Sequence, residues 1–482
     1  MTLIAGQTKE TVIISDLELV RAVVDEAGWL DEPAAMAPYL TEDRGLFHGR
    51  ARAVVSPASI SEVAAVMRLC NERGIGVVPQ GGNTGRCGGA VPQEAGSEII
   101  LSLRRMNRIR DIDPLNYTLT VEAGCILADL RAAAERADRF FPLSLGAEGS
   151  CQIGGNLATN AGGNNVLRYG NARDLTLGLE VVLPTGEIWD GLTGLRKNNT
   201  GYDLKDLFIG AEGTLGIITA AVLRLFPLPK DIQTAWVALR DLDAGIALLA
   251  RARATSGDAI STFELISRTG LEFALRHTSG CRDPFAIPYD WYVLLVFSGT
   301  RPEAGMRERL ESMLSEAWED GQILDAVIAQ SKAQANGLWR LREGIVEGQR
   351  FEGGSIKHDI AVPVSRVPAF IRTANARVAE ELPGIRPCVF GHLGDGNIHY
   401  NLSQPLAMDR TEFLGMWDHF NRIVNDIAVA LGGSFSAEHG IGRLKVGEMA
   451  RYKSAIELDL MRRIKVALDP KGIMNPGKVV PR

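Results

Sequence analysis

The sequence predicts an α+β protein with more than one domain. Its 482 residues exceed the length that one hydrophobic core usually supports. Hydrophobic residues make up 46% of the chain and charged residues 23%, so there are enough apolar side chains to fill sizeable cores. Short β-rich runs alternate with helical patterns along most of the chain, as expected for packed layers of helices and sheets.

The first half of the chain divides into an N-terminal helical segment, residues 1–48, and a mixed domain, residues 49–228. The helical periodicity of the first segment lies within residues 14–40 and comes from Leu17, Val20, Val23 and Val24. In the mixed domain, strands such as IGVVP, EIILSL and TLTVEAG alternate with helices such as SISEVAAVMRLCNERG. Pro227 and Pro229 stand close together and mark the end of this domain.

The second half divides into a further α+β domain, residues 229–434, and a C-terminal helical segment, residues 435–482. The α+β domain contains helical patterns such as DAGIALLARARATS and strands such as WYVLLVFSG, KHDIAVPV and PCVFGHLG. The run EMARYKSAIELDLMRRIKVALD predicts a helical stretch that stops at Pro470. We expect the C-terminal segment to pack back on the first domain.

Charge and cysteine usage exclude several classes of protein. The net charge is −6 and basic residues are scattered, so the chain lacks the basic patch of a nucleic-acid-binding protein. The six cysteines form no C-x-x-C pair, which favours reduced thiols over a disulfide framework. The N-terminus does not resemble a signal peptide and no stretch of 18 apolar residues occurs, so we expect a cytoplasmic protein without a transmembrane segment.

Two glycine-rich loops lie in the first domain. PQGGNTGRCGGAVP, residues 79–92, follows a predicted strand, and its glycines allow backbone N–H groups to surround an anion such as a phosphate. It is neither a Walker A loop nor a G-x-G-x-x-G loop, so a nicotinamide cofactor is not expected. LGAEGSCQIGGNLATNAGGNN, residues 145–165, is the second loop. Each loop alone could be a set of tight turns, but two together favour a large dinucleotide.

A pair of histidines in GHLGDGNIH, residues 391–399, suggests a metal site. On one extended strand His392 and His399 would lie about 23 Å apart, so the strand must fold back if they share a ligand. Asp395 and Gly396 favour a two-residue hairpin turn, which would place His392 directly opposite His399 with β-carbons about 5 Å apart. The alternative for each histidine alone is a structural role.

Further candidate site residues lie in two other segments. In FSAEHGIG, Glu438 would complete a site of two imidazoles and a carboxylate, which suits Zn²⁺, Mn²⁺ or Fe²⁺. Neighbouring side chains of an extended segment point in opposite directions, so we expect Glu438 and His439 to have different roles. In WRLREGIVEGQRFEGGSIKHD, Arg342 and Lys357 are candidates to bind a carboxylate, the alternative being a solvated helix face.

The ordered motifs of the chain resemble those of one flavoprotein family. They are PQGGNTG with GGAVP, GSCQIGGNLATNAGG, YGNARDLTLGLEVVLPTGEI, GYDLKDLFIGAEGTLGIITAAVLRL, GHLGDGNIH and SAEHGIG. From about residue 49 to the tail, the chain resembles the FAD-linked D-2-hydroxyacid dehydrogenase branch of the vanillyl-alcohol-oxidase superfamily, which includes D-lactate, D-2-hydroxyglutarate and glycolate dehydrogenases. The resemblance implies a two-subdomain FAD-binding domain of the p-cresol-methylhydroxylase (PCMH) type and an α+β cap domain with an antiparallel sheet.

The resemblance also implies which residues contact FAD. The first loop would hold the pyrophosphate on backbone amides, the second would line the ribityl chain and isoalloxazine, and two later residues would lie on the adenine and ribose side. The implied contacts are Pro79, Gly81, Gly82, Asn83, Thr84, Gly85, Gly149, Ser150, Gly154, Asn156, Thr159, Asn160, Gly163, Glu212, Ile217 and Asn475. The first loop has Arg86 and Cys87 where some relatives attach flavin to a histidine, so the FAD would be noncovalent.

For catalysis, the resemblance implies that His392, His399 and Glu438 bind the metal and that His439 is the base. The substrate contacts would be Arg342, Lys357 and Asn401. Asn401 follows His399 by two residues, so both side chains lie on the same face of the strand. The expected reaction takes a small D-2-hydroxy acid to a 2-oxo acid, with hydride passing to FAD. Electrons would leave to an electron-transfer flavoprotein, cytochrome or quinone, and a homodimer is a further expectation.

One residue departs from the pattern, and two alternatives stay open. Val346 stands where 2-hydroxyglutarate dehydrogenases have a threonine that meets the distal carboxylate, which weakens the case for that diacid. The first alternative is a flavin-dependent transferase similar to alkyl-dihydroxyacetone-phosphate synthase. The second is a flavin subunit that only relays electrons, although a relay would not need the histidines, Glu438, Arg342 or Lys357.

Overall fold

The computed structural model of the protein describes residues 15–481. Residues 1–14, which belong to the predicted N-terminal segment, and Arg482 lie outside this range. The elements of the first part of the chain are α1 (Asp16–Arg21), β1 (Trp29–Leu30), α2 (Pro33–Met36), β2 (Val54–Val55), α3 (Ile60–Arg73), β3 (Val77–Gln80), β4 (Ile99–Ser102), β5 (Ile109–Asp113), β6 (Thr118–Glu122), α4 (Leu127–Arg136), β7 (Arg139–Phe140), α5 (Ile153–Ala158), α6 (Val166–Tyr169), β8 (Thr176–Val182), β9 (Ile188–Gly191), α7 (Lys205–Phe208), β10 (Ile217–Arg224) and β11 (Phe226–Pro227).

The second part continues with further strands and helices in alternation. These elements are β12 (Asp231–Leu239), α8 (Leu242–Ser256), β13 (Ile260–Ser267), α9 (Arg268–His277), β14 (Trp291–Gly299), α10 (Met306–Glu319), β15 (Ile323–Ile328), α11 (Lys332–Gly348), β16 (Ser355–Ile356), β17 (Asp359–Ala361), α12 (Val367–Glu381), β18 (Arg386–His392), β19 (Asn397–Ser403), α13 (Arg410–Gly415), α14 (Trp417–Ala430), α15 (Val446–Tyr452) and α16 (Ala455–Leu468). Short 3₁₀ helices lie at Glu26–Gly28, Ala37–Tyr39, Gln349–Phe351 and Val364–Arg366. The predicted α+β class is confirmed.

Two larger sheets and the two-stranded pair of β7 with β11 form the first part. The smaller has the order β1-β2-β4-β3, with β4 parallel to both β2 and β3, and the larger is the antiparallel sheet β5-β6-β10-β8-β9. Helix α3 shows how the sequence builds this layer, because its apolar positions Val63, Val66 and Met67 recur at helical spacing and are all buried. Ser59 caps its N-terminus, and Gly74 ends it with a positive φ of 67°.

An eight-stranded antiparallel sheet dominates the second part. Its order is β15-β12-β14-β13-β18-β19-β16, and β17 also pairs with β19. Both faces are covered by helices, so the strands are apolar on both sides: in β12, Val237 belongs to one buried cluster and Trp236 and Ala238 to the other. This burial explains the nearly continuous hydrophobic runs of the sequence, such as WYVLLVFSG in β14.

The two terminal segments differ in part from expectation. Helical periodicity over residues 14–40 becomes two short α-helices, α1 and α2, with 3₁₀ turns between and after them. The C-terminal stretch is broken into α15 and α16 because Ser454 caps α16 in a reciprocal capping box with Glu457. Beyond α16, Ile473 and Met474 pack into the core of the smaller sheet. Every helix within residues 15–481 is too short or too polar to span a lipid bilayer.

Candidate active site

The hairpin of strands β18 and β19 has a different register from the predicted one. His392 faces Asn397 and Phe390 faces His399, so Leu393–Gly396 form a four-residue connection, and the predicted two-residue turn is wrong. Asp395 stabilises the connection by accepting a hydrogen bond from the Asn397 amide. Because the shift is two residues, His392 and His399 still share one face, as diagonal neighbours with ring centroids 5.6 Å apart.

Glu438 joins these two histidines, as predicted for a metal site. Its Oε1 lies 3.6 Å from His399 Nε2, and its Oε2 lies 3.9 Å from His392 Nε2. Ligand atoms of a tetrahedral ion with bonds of about 2.1 Å are about 3.4 Å apart, so these separations are close to those of a metal site. The three side chains form one of two metal-sized clusters found within residues 15–481.

The protonation states of His399 and Glu438 suit a divalent cation. Burial would lower the pKa of His392, but Glu264 raises it to about 9, so a cation that binds His392 must displace a proton from it. Burial lowers the pKa of His399 to about 4, so its imidazole is neutral at pH 7. Burial opposes ionisation of Glu438, but the neighbouring histidines outweigh it and keep the carboxyl pKa below its usual value. A neutral imidazole and an ionised carboxylate are the forms in which these groups bind zinc-class metals.

The second metal-sized cluster consists of Glu438, His439 and Asp359. Asp359 Oδ2 accepts hydrogen bonds from the Glu438 and His439 backbone amides and lies 3.3 Å from His439 Nδ1. His439 Nε2 lies 3.4 Å from Glu438 Oε1. The expectation that Glu438 and His439 point apart is therefore wrong, because the chain is bent here rather than extended and Asp359 holds both amides.

Asp359 was missed by sequence reasoning, although a signal was present. It lies in the predicted strand KHDIAVPV, two residues after Lys357 and directly opposite His399 in the pairing of β17 with β19. Its exposure is 4%. A carboxylate in this position can accept a hydrogen bond from Nδ1–H of His439 and so leave Nε2 unprotonated as the base.

Arg342 reaches the cluster through a second residue that the sequence did not single out, Glu264. The Arg342 Nε donates to Glu264 Oε2 over 2.7 Å, and His392 Nδ1 donates to Glu264 Oε1 over 2.5 Å. Burial would raise the pKa of Glu264, but the charges of His392 and Arg342 hold it at about 2. Within residues 15–481, Arg342 uses only Nε in side-chain hydrogen bonds, so its two terminal NH₂ groups are available to an anion.

Lys357 and Asn401 lie on the same side of the sheet. The side chain of Lys357 has no hydrogen bond or ion pair to the described part of the chain, and burial, reinforced by nearby Arg86 and Arg44, lowers its pKa to about 8. Asn401 is fully engaged, because its amide donates to Gln349 and accepts from the His358 backbone. Lys357 therefore offers a free cation, and the predicted substrate contact of Asn401 stays a prediction.

The two glycine-rich loops meet in the first part of the chain, beside β3. A Cβ on Gly82 would lie 2.2 Å from the Ser150 carbonyl oxygen, so the backbones of the loops touch. A cleft of about 380 Å³ opens between them, and its lining includes Gly81, Gly82, Ser150 and Gln152. This is the place in which the sequence predicts a dinucleotide.

Comparisons with known proteins agree with this geometry. Residues 51–191 match the family described as FAD binding domain, and residues 228–479 match the family described as FAD linked oxidases, C-terminal domain. The chain is 39% identical to D-2-hydroxyglutarate dehydrogenase of Xanthomonas citri pv. viticola over 93% of both chains. It is 37% identical to the mitochondrial D-2-hydroxyglutarate dehydrogenase of Arabidopsis thaliana, over 97% of this chain and 81% of that protein.

The chain belongs to the FAD-linked D-2-hydroxyacid dehydrogenase branch. Its fold is also that of a solved alkyldihydroxyacetonephosphate synthase, with a TM-score of 0.74 at 18% identity over 96% of this chain and 84% of that one. That similarity shows the fold alone. The predicted PCMH-type FAD-binding domain with an antiparallel cap sheet is confirmed.

The residues of this FAD-linked dehydrogenase fit a bound dinucleotide at the loop cleft. Ser102 Oγ, Gln152 Oε1 and Asn156 Oδ1 are buried and have no hydrogen-bond partner within residues 15–481. Buried polar atoms are nearly always satisfied, so these three call for a polar ligand. Substituted Cβ atoms at Gly85 and Gly149 would face open space, whereas one at Gly154 would lie 2.7 Å from Ala123. Some glycines thus leave room for a ligand and others allow close backbone packing.

Three implied FAD contacts of the dehydrogenase have other roles in the structure. The Glu212 carboxylate accepts hydrogen bonds from the Ile441 and Gly442 amides and so ties the first domain to the loop that carries Glu438. Asn475 donates to the carbonyls of Gly89 and Glu212. Ile217 is 1% exposed within an apolar core. Their contacts with FAD stay predictions, because these side chains are engaged by the protein itself.

Proposed function

We propose that this protein is an FAD- and divalent-metal-dependent dehydrogenase that oxidises a D-2-hydroxy acid to a 2-oxo acid and passes electrons to an acceptor other than NAD. The main support is that candidates for metal binding, for proton abstraction and for carboxylate binding lie together on one face of the cap sheet. His392, His399 and Glu438 form the metal-sized cluster, and His439 lies 3.4 Å from Glu438. Arg342 is connected to the same cluster through Glu264.

The protein residues have separate tasks in the proposed reaction. FAD bound at the loop cleft would supply a hydride acceptor for the α-carbon. A divalent ion held by the two histidines and Glu438 would supply the positive charge that lowers the pKa of the substrate hydroxyl. The terminal NH₂ groups of Arg342 and the ammonium of Lys357 bind the substrate carboxylate. His439 takes the hydroxyl proton at Nε2, while the Asp359 carboxylate faces Nδ1–H and stabilises the charged imidazole.

The substrate we place first is D-2-hydroxyglutarate, after which the two relatives above are named. Val346 lies one helical turn beyond Arg342 and packs against an apolar cluster. Because a valine side chain has no hydrogen-bond donor, Val346 cannot bind a distal carboxylate in the way a threonine would. The cations near Lys357 offer a replacement. They are Arg44, Arg86 and Arg350, whose positive charges lower the pKa of Lys357. Arg86 and Arg350 also lie 2.9 and 4.0 Å from Asp43, so a second carboxylate would share them with that residue. We propose that these positive charges bind the second carboxylate.

The deciding experiment is anaerobic bleaching of the flavin by D- and L-2-hydroxy acids. We expect bleaching by D-2-hydroxyglutarate, a weaker response to D-lactate, loss of bleaching after chelation, and recovery with Zn²⁺ or Mn²⁺. The variant His399→Gln should lose the metal-dependent response, whereas His419→Gln is a matched control, because His419 is an exposed histidine paired with Glu381. Absence of bleaching by every 2-hydroxy acid would contradict the proposal and favour the transferase or relay alternatives.

The electron acceptor requires its own test. Enzyme reduced by substrate is mixed with NAD⁺, a soluble quinone, a cytochrome or an electron-transfer flavoprotein, and flavin reoxidation is followed by absorbance. We expect no rapid reoxidation by NAD⁺, because the chain lacks the G-x-G-x-x-G loop that binds nicotinamide dinucleotides.

A further inference from the structure

Glu264 lies at the centre of the sheet and joins two parts of the proposed site. It is on β13, directly opposite His392 on β18, and its exposure is 1%. Each carboxylate oxygen accepts from a different partner: Oε1 from His392 Nδ1 at 2.5 Å and Oε2 from Arg342 Nε at 2.7 Å. One buried side chain thus contacts both a proposed metal ligand and a proposed substrate-binding residue.

The two hydrogen bonds fix which atoms of the partners remain available. With Nδ1 engaged by Glu264, His392 presents Nε2 toward Glu438, where the metal cluster lies. With Nε engaged, Arg342 keeps both terminal NH₂ groups for an anion, and its guanidinium lies over the Phe390 ring at 4.8 Å. Phe390 precedes His392 by two residues on strand β18. The same strand therefore carries His392 and the ring on which the Arg342 guanidinium lies.

We propose that Glu264 is a positioning residue that orients His392 toward the metal and Arg342 toward the substrate carboxylate at the same time. This inference rests on the proposed function. Loss of Glu264 should therefore weaken both metal binding and carboxylate binding, although Glu264 contacts neither ligand. Hydrogen bonds of this kind to metal-ligating histidines typically change metal affinity by about 10- to 100-fold.

A purely structural role is the alternative, since a buried acid between a histidine and an arginine also affects stability. The cap domain contains a matched control in Glu352, which is likewise buried and accepts from His277, Arg276 and Arg386. None of these three residues belongs to the metal-sized clusters of the described chain. Glu352→Gln therefore disrupts a similar group of an acid, a histidine and arginines without changing a residue of the metal-sized clusters.

The test compares Glu264→Gln and Glu352→Gln in flavin-loaded protein. Zinc affinity is measured by competition with a chromogenic chelator, and thermal midpoints are recorded for all samples. We expect the zinc Kd to rise about 10- to 100-fold in Glu264→Gln and to stay within about twofold of the parent in Glu352→Gln, although both variants lose thermal stability. Isothermal titration of metal-free protein with 2-oxoglutarate should show weaker binding in Glu264→Gln alone.

A second variant covers the case in which Glu264→Gln does not fold. Glu264→Asp keeps the charge, but its shorter side chain cannot reach both partners, so its zinc Kd should also rise. A zinc Kd within about threefold of the parent in the folded Glu264 variants would overturn the positioning role and leave the proposed function intact. A parent protein that binds neither zinc nor manganese would overturn both.

Discussion

Replacing Asp359 with asparagine should strongly slow reduction of the flavin by substrate. Asp359 is buried, and its Oδ2 lies 3.3 Å from His439 Nδ1. Two unit charges at that distance interact by about 5 kcal/mol at an effective dielectric constant of about 20. The charge of a protonated imidazole is spread over the ring, which weakens this interaction. We therefore take about 3–4 kcal/mol as the stabilisation of protonated His439 that Asp359→Asn removes. At about 1.4 kcal/mol per tenfold change, the rate should fall by about 10²- to 10³-fold.

The assay is anaerobic stopped-flow measurement of flavin reduction, with zinc content determined for every sample. Asp469→Asn is the matched control, because Asp469 is also buried, accepts from the Ile473 and Met474 amides, and contacts Lys465. It should lower the thermal midpoint but leave the reduction rate within about twofold. A zinc-loaded Asp359→Asn protein that reduces flavin within fivefold of the parent rate would refute the role assigned to Asp359.

Three further predictions concern the substrate site and its support. Burial lowers the pKa of Lys357 to about 8, so the charged form that binds a carboxylate is lost as the pH rises above 8. In initial-rate assays, KM should therefore increase by up to about tenfold per pH unit above 8. The variant Lys357→Met should remove this pH dependence. Arg86→Gln should lower kcat/KM for D-2-hydroxyglutarate about tenfold and for D-lactate less than threefold; equal losses would argue against a distal-carboxylate role. Glu212→Gln leaves one of the Ile441 and Gly442 amides without an acceptor, which should cost about 1–3 kcal/mol and lower the thermal midpoint by several degrees in calorimetry.

Features that depend on neighbouring residues were predictable from the sequence. The strand that contains Pro79, the glycines of the first loop and the helix from Ile60 to Arg73 follow from β-propensity, turn chemistry and capping within a few residues. The assignment of FAD and of the metal ligands also depended on the family resemblance, because no local rule connects His392 with Glu438. The four-residue connection after His392 was missed because Asp-Gly fits both a two-residue turn and the end of a longer loop.

The contacts of Glu264 and Asp359 within the site were not predictable, because strand pairing decides which residues lie opposite them. Glu264 is 128 residues before His392, and its place opposite that histidine depends on the pairing of β13 with β18. In the sequence, Glu264 is the only charged residue of the run ISTFELIS, where it has no obvious partner. A lone acid in a strand that is buried on both faces needs a buried partner, so its presence indicated an interaction but not which one.

The hairpin register was predicted wrongly, yet His392 and His399 lie together as expected, and strand geometry explains why. Side chains alternate between the two faces of a strand, so a slip of one residue would have moved His399 to the opposite face from His392. The actual slip is two residues, which keeps both imidazoles on one face and changes a directly opposed pair into a diagonal one. Diagonal neighbours have space between their rings for a ligand atom from elsewhere, and Glu438 enters there, within 3.9 Å of both Nε2 atoms. Inserting one residue into Leu393–Gly396 should therefore abolish zinc binding, because it would separate the histidines onto opposite faces, whereas inserting two should retain part of it. Equal zinc affinity in both insertion variants would contradict this dependence on strand face.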